Sequence, residues 1–153
     1  MDFISSIGLF LILAGFVVGL GAVTVIDLHG FLGRKSSYWT EATIRTHKVT
    51  KPLIWLGMIL AVLGGFLFYR NVDLSLIPVL HIIASVVLVL NGLFLSFWVS
   101  PRLLEREKEG RASELLPGSM QNKIIVSLLV SDILWWGSLV LFVIYISRLI
   151  NAN

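Results

Sequence analysis

FISSIGLFLILAGFVVGLGAVTVI, residues 3–26, contains no Asp, Glu, Lys, Arg or His from end to end. At ~1.5 Å rise per residue, a helix over this stretch is long enough to cross a hydrocarbon core of ~30 Å. Three further stretches read the same way: 52–69, 74–100 and 124–147. Across all four, the only His, Lys, Arg, Asp or Glu residues are His81 and Asp132. Each stretch crosses or nearly crosses a bilayer as a helix. The sequence therefore predicts an all-α integral membrane protein with four transmembrane helices, at about 3–28, 52–69, 74–100 and 124–148.

Composition supports this. Of the 153 residues, 57% are hydrophobic and 14% charged, and the mean hydropathy is +0.92. A water-soluble globular domain does not have this balance. The connections at 29–51 and 101–123 are too short to build a core of their own, so residues 1–153 read as a single membrane domain. Helix count and connection lengths suggest an up-and-down four-helix bundle.

The net charge of +3 does not point to nucleic acid, because the charge is distributed by side. Arg34, Lys35, Arg45, Lys48, Lys51, Arg102, Arg106, Lys108, Arg111 and Lys123 lie in the two long connections; Arg70 and Arg148 are the only basic residues on the other side. By the positive-inside rule both long loops are cytoplasmic and both termini lie outside, in the inner (plasma) membrane. The first apolar run lacks a basic segment before it and exceeds a signal-peptide core, so it is expected to remain as a helix. There is no Cys, which removes thiol chemistry, thiolate ligands and disulfides.

Helix 1 carries Gly8, Gly15, Gly19 and Ala22 on one face, with a GxxxG at Gly15–Gly19, and helix 2 carries Gly57, Ala61 and Gly65. Small residues at this spacing let two backbones approach closely. They serve either packing of helix 1 on helix 2 or a seam with a second copy or a larger membrane complex. Besides those, the lipid bilayer is the expected partner. Segment 36–51 has helical character, with Thr40 an N-cap candidate. Pro52 either opens the membrane helix or kinks a longer one. Helix 3 is expected to stop at Pro101, and RLLEREKEGRASELLPG (102–118) to form a solvated helix with Glu107 beside Arg111.

Polar groups inside the membrane are the functional leads. Asn91 and Asp132 both lie ~12–14 Å from the cytoplasmic ends of their helices. With Asp27 and Ser131 they form a predicted intramembrane cluster, and Ser127, Ser138 and Trp135 share the helix 4 face. An aspartate at this depth either has a hydrogen-bonding partner or is neutral. Asp132 is expected within direct or water-bridged reach of Asn91, as a helix clasp or as part of a proton, ion or small-ligand site.

His29 and His47 lie at the cytoplasmic face and His81 in the outer half. All three are candidate haem or divalent-metal ligands, His29 through an Asp-x-His arrangement with Asp27. That spacing matches no specific metal signature, and interfacial histidines explain it equally well. A bis-histidine haem needs a second His at the depth of His81, and the sequence has none, which leaves five-coordinate haem or His29–His47 ligation. No nucleophile triad, phosphate loop or HExxH is present, and no catalytic residue is assigned.

GLGAVTVIDL (19–28), PLIWLGMILAVLGG (52–65), HIIASVVLVLNG (81–92) and Pro101 together resemble small bacterial four-helix membrane proteins. Those are distantly similar to the copper-resistance D domain and to HemJ-type protoporphyrinogen oxidase. The likeness covers helices 1 to 3 and implies porphyrin, haem or metal handling. In such proteins a basic residue often begins helix 3 about ten residues before a polar position, a spacing that His81 and Asn91 occupy here. The HemJ type also has an intramembrane His in helix 1, where this chain has only His29 at the helix end. The readings carried forward are a small-ligand site in a polar interior, a proton or ion pathway, and an accessory subunit without chemistry of its own.

Overall fold

The structure, a computed structural model, describes residues 2–73 and 75–151. It is all-helical, with no strand among the described residues. Four helices are long and apolar enough to span a membrane: α1 (Phe3–Leu32), α2 (Ser37–Tyr69), α3 (Leu76–Lys108) and α4 (Gly118–Asn151). A π turn interrupts α1 at Phe16–Leu20 and another interrupts α3 at Leu95–Val99. Neighbours in sequence pack as neighbours in space, and α1 closes the bundle against α4.

The helices run past several expected ends. The connection expected over 29–51 shrinks to 33–36, because α2 begins at Ser37 and continues through Pro52. The proline costs this helix one backbone hydrogen bond in its interior, and of the two alternatives the longer helix running through Pro52 is the one realised. The N-cap is Ser36, which accepts from Trp39 N at 3.4 Å, rather than Thr40. The Thr40 hydroxyl instead donates to Gly33 O at 2.7 Å and Ser36 O at 3.0 Å, closing the tight α1–α2 turn.

Nor does α3 stop at Pro101. The π turn immediately before it resets the backbone, so the proline falls in the first turn of a fresh α segment, where its missing N–H is tolerated. The helix ends instead near Gly110, at φ 74°, a left-handed conformation that favours glycine. No solvated helix follows before α4. Glu107 pairs with Lys48 at 2.7 Å and Arg111 with Glu109, so the expected Glu107–Arg111 pair does not form. The expected start of the third span at position 74 lies outside the described residues.

The α1–α2 seam is closed backbone to backbone. A Cβ added at Gly8 would meet Phe68 N at 2.6 Å, one at Gly15 would meet Ala61 N at 2.6 Å, and one at Gly64 would meet Ile12 N at 2.6 Å. Gly19 fits against Gly57 and under the Trp135 ring. The stripe on α2 is thus Gly57, Ala61 and Gly64. Gly65, expected on this face, lies elsewhere, with nothing within 4 Å of an added Cβ. Seven residues bring a helix nearly back into line, whereas eight overshoot by most of a quarter turn.

At the far end Asp2 caps α1, accepting from Ser5 N at 2.8 Å, and pairs with Arg70 after α2. The Ser5 hydrogen bonds, and then Arg70, hold the Asp2 carboxyl below the usual carboxylate range.

The α2–α3 seam is different. At the basic end it is fastened by Lys48–Glu107, by Lys51 Nζ donating to Ser100 Oγ at 3.4 Å, and by Trp55 Nε1 donating to Ser96 Oγ at 3.1 Å. In the other half the two helices leave a cleft between them, bridged by the Tyr69 hydroxyl and His81 Nδ1 at 3.0 Å. Two apolar clusters fill the bundle. The larger centres on Phe16, Met58, Leu88, Trp135 and Phe142, and the smaller, at the basic end, on Ile44, Val99, Leu103 and Met120.

Candidate functional site

Toward the basic end, all four helices enclose a cavity of about 100 Å³. Every helix contributes polar groups to its wall, among them Asp27 from α1, His47 and Lys51 from α2, Asn91 from α3, and Ser131 and Trp135 from α4, with Arg34 of the α1–α2 turn also in the lining. The short turn pinned by Thr40 brings the start of α2 back over α1 and sets His47 above the cavity. Gly30 lets α4 approach, since a Cβ there would meet Leu128 Cδ1 at 2.9 Å.

Three of these groups are buried with an unused polar atom: Asp27 Oδ2, His47 Nε2 and Trp135 Nε1. Asp27 is 6% exposed and Trp135 2%. Among the described residues the one other such atom is Arg106 Nε. A buried polar atom without a partner costs roughly 1–3 kcal/mol, and native structures contain few of them. Three residues that line one cavity from three helices each carry such an atom, so small local rearrangement would bring three recognition points to it. Trp135 Nε1 only donates. The Asp27 carboxyl accepts when ionised and also donates from its O–H when neutral, and His47 Nε2 does either according to its tautomer.

The predicted cluster is partly assembled. Asp27, Asn91 and Ser131 line the cavity, but Asp132 does not; it is half-buried on the adjacent flank of α4. Asp132 is close enough to Asp27 for their charges to interact. Asn91 is clasped to Ser127 instead of Asp132. Its Nδ2 donates to Ser127 O at 3.0 Å, and Ser127 Oγ donates to its Oδ1 at 2.5 Å. A helix turns about 100° per residue, so Ser127, Ser131 and Trp135 share the inward face while Asp132 sits one step round. Sequence reasoning placed Trp135 on this face but gave it no role, and it treated His47 as an interfacial metal candidate.

The three histidines are not brought together. His29 Nδ1 lies 3.2 Å from Thr46 Oγ1, its ring against Trp39 at 5.0 Å between centroids. His47 faces the cavity. His81, in the opposite half, uses both nitrogens: Nε2 lies 3.0 Å from the carbonyl of Ser138 and Nδ1 3.0 Å from the Tyr69 hydroxyl. A carbonyl can only accept, so Nε2 carries the hydrogen and Nδ1 accepts from Tyr69. Among the described residues no group of three or more His, Asp or Glu side chains is arranged to hold a metal ion.

A second cavity, of about 480 Å³, occupies the divergent half of the α2–α3 seam, with His81 and Tyr69 in its wall. Met58, Leu88 and Trp135 line both cavities and form the partition between them. No protein-family model, curated protein or solved structure matches this chain.

Proposed function

We propose that the chain is a multi-pass inner-membrane protein, with its basic end in the cytoplasm and both termini outside, whose inner cavity binds a small polar ligand. The observation that carries this reading is that Asp27, His47 and Trp135, which line one cavity of about 100 Å³, each hold a buried polar atom without a partner beside it. A space of that size admits several waters or one molecule of a few heavy atoms. The complementary ligand offers an acceptor to the indole N–H and a donor or acceptor to the Asp27 carboxyl, as a small amide, alcohol or amine does. Intramembrane ionisable groups are functional candidates by default. The orientation rests on the ten-to-two distribution of Lys and Arg.

The tetrapyrrole reading suggested by the resemblance finds less support. This cavity is too small for a porphyrin, and both His81 nitrogens are already engaged. Native mass spectrometry of protein released gently from the membrane tests the proposal. Wild type should carry a small adduct that weakens in Asp27→Asn and is lost in Asp27→Asn/Trp135→Phe. A bare wild-type mass, under conditions that retain bound lipid, refutes it, and a Soret band in the same sample would reinstate haem.

One observation favours a second reading, a proton or ion pathway. Only Met58, Leu88 and Trp135 separate the polar cavity from the outer cleft. In proteoliposomes, a pathway would show as flux that Leu88→Ala raises and Asp27→Asn abolishes. Flux indistinguishable from empty vesicles in both variants rejects it.

A further inference from the structure

The outer cleft has its own chemistry, separate from that of the polar cavity. Its volume of about 480 Å³ falls within the ~300–1,000 Å³ typical of small-molecule sites. Val62, Phe66, Ile82 and Val86 form its rim and are 43%, 75%, 53% and 54% exposed. These residues lie along the flanks of α2 and α3, so the mouth opens sideways. In a bundle that spans a bilayer, that mouth faces hydrocarbon, and whatever enters arrives from the lipid phase.

Polar groups inside the cleft are few, and all but Arg70 are uncharged. The Tyr69–His81–Ser138 chain is internally satisfied and fixes the imidazole edge in the wall. The hydroxyls of Ser85 and Ser138 line the same space and have no hydrogen-bond partner among the described residues. They differ in this from Thr24, Thr43 and Thr50, whose hydroxyls donate to the carbonyl one turn back at 2.8, 2.7 and 3.1 Å. The one charged lining residue, Arg70, is paired with Asp2. An anionic headgroup would have to compete for it, and a plain acyl chain would leave both hydroxyls unpaired in an apolar space, which is unfavourable. Phe16, Trp135 and Phe142 supply flat aromatic surface behind the hydroxyls.

We propose that this cleft binds a neutral, ring-headed lipophile bearing carbonyl oxygens, of the quinone type, with the carbonyls on Ser85 and Ser138 and the tail at the lateral mouth. The site shares Met58, Leu88 and Trp135 with the polar cavity but does not require that cavity's ligand.

Decylubiquinone is a suitable probe, titrated into the detergent-purified full chain while tryptophan emission is followed, since Trp135 lines the cleft. Saturable quenching with one site per chain is expected. Gly65→Leu fills the cleft from a position with open space around it and should weaken binding at least tenfold while the melting temperature is unchanged. Ser85→Ala/Ser138→Ala should weaken it about fivefold or more and serves as the second variant if Gly65→Leu does not fold. Asp27→Asn should leave the affinity unchanged, which separates this site from the inner cavity. Quenching that is unsaturable, or equal in wild type and both cleft variants, would mean partitioning into the micelle and would overturn the proposal. So would dodecane competing as well as the quinone, or co-purifying phospholipid displaced by Gly65→Leu with no quinone binding.

Discussion

Helix α2 has two sequence neighbours and meets them in opposite ways. Against α1 it offers Gly57, Ala61 and Gly64, and the two backbones come into contact along the stripe. Against α3 it offers Gly65, and the helices part around a cleft of about 480 Å³. Both faces are apolar and both carry glycine, so composition does not distinguish them. Lipid supplies no hydrophobic drive for helices to associate, which leaves close fit and hydrogen bonds to decide. Glycines that repeat in line make a close fit. A glycine one position out of line makes a space, and the seam is then held only by polar fasteners such as Trp55–Ser96.

The largest effect should come from breaking the closed seam. In Gly15→Leu the first side-chain carbon already meets Ala61 N at 2.6 Å and Gly57 O at 2.7 Å. These are backbone atoms that cannot swing aside, so the cost should reach the upper end of the ~1–3 kcal/mol usual for overpacking, or exceed it. Thermal unfolding in detergent measures this, and an unchanged melting temperature would mean the seam is not closed as described.

Trp55→Phe attacks the open seam and should cost less, about 1 kcal/mol for the lost 3.1 Å hydrogen bond to Ser96. Faster hydrogen exchange over 92–100 should accompany it. A double-mutant cycle with Ser96→Ala that gives zero coupling would show that the bond fastens nothing.

The smallest effect belongs to Asp2, at the exposed end of the closed seam. Its carboxyl lies below the ordinary aspartate value of 3.8 when folded, through Ser5 first and Arg70 as well. A lowered folded-state value stabilises the protein above the unfolded value, and this is lost as pH falls through the folded one. The wild-type advantage over Asp2→Asn should therefore be present above pH 3.8 and fade below it. An advantage that grows in acid would have the wrong sign.

The four long apolar helices were legible in the sequence because charge-free stretches of that length have few other uses. Where the helices would end was less legible. Pro101 signals a stop only if the preceding turn is α, and periodicity does not announce the π turn at Leu95–Val99 that accommodates it. In the cavity, Asp27, Asn91 and Ser131 were visible as polar residues at matching depth. Asp132 was chosen for its charge, but depth does not fix azimuth, and it was Ser127 that reached Asn91. His47 was read as interfacial because the membrane span was counted from Pro52, whereas the continuous α2 carries it to the cavity wall.

The π turn in α1 bears on Asp27 in a way no substitution scan would reveal. Counted at about 100° per residue, Asp27 stands a third of a turn round the helix from Gly15. The π turn at Phe16–Leu20 takes in one extra residue, and with that residue discounted Asp27 comes almost into phase with the glycine stripe. Loss of one residue from 16–20 should therefore close the π turn into ordinary α-helix and leave the carboxyl facing inward, whereas loss of Gly21, with the π turn kept, should carry it about 100° round the helix while every side chain of the cavity remains encoded. The acid of this site is specified by a count as much as by an identity.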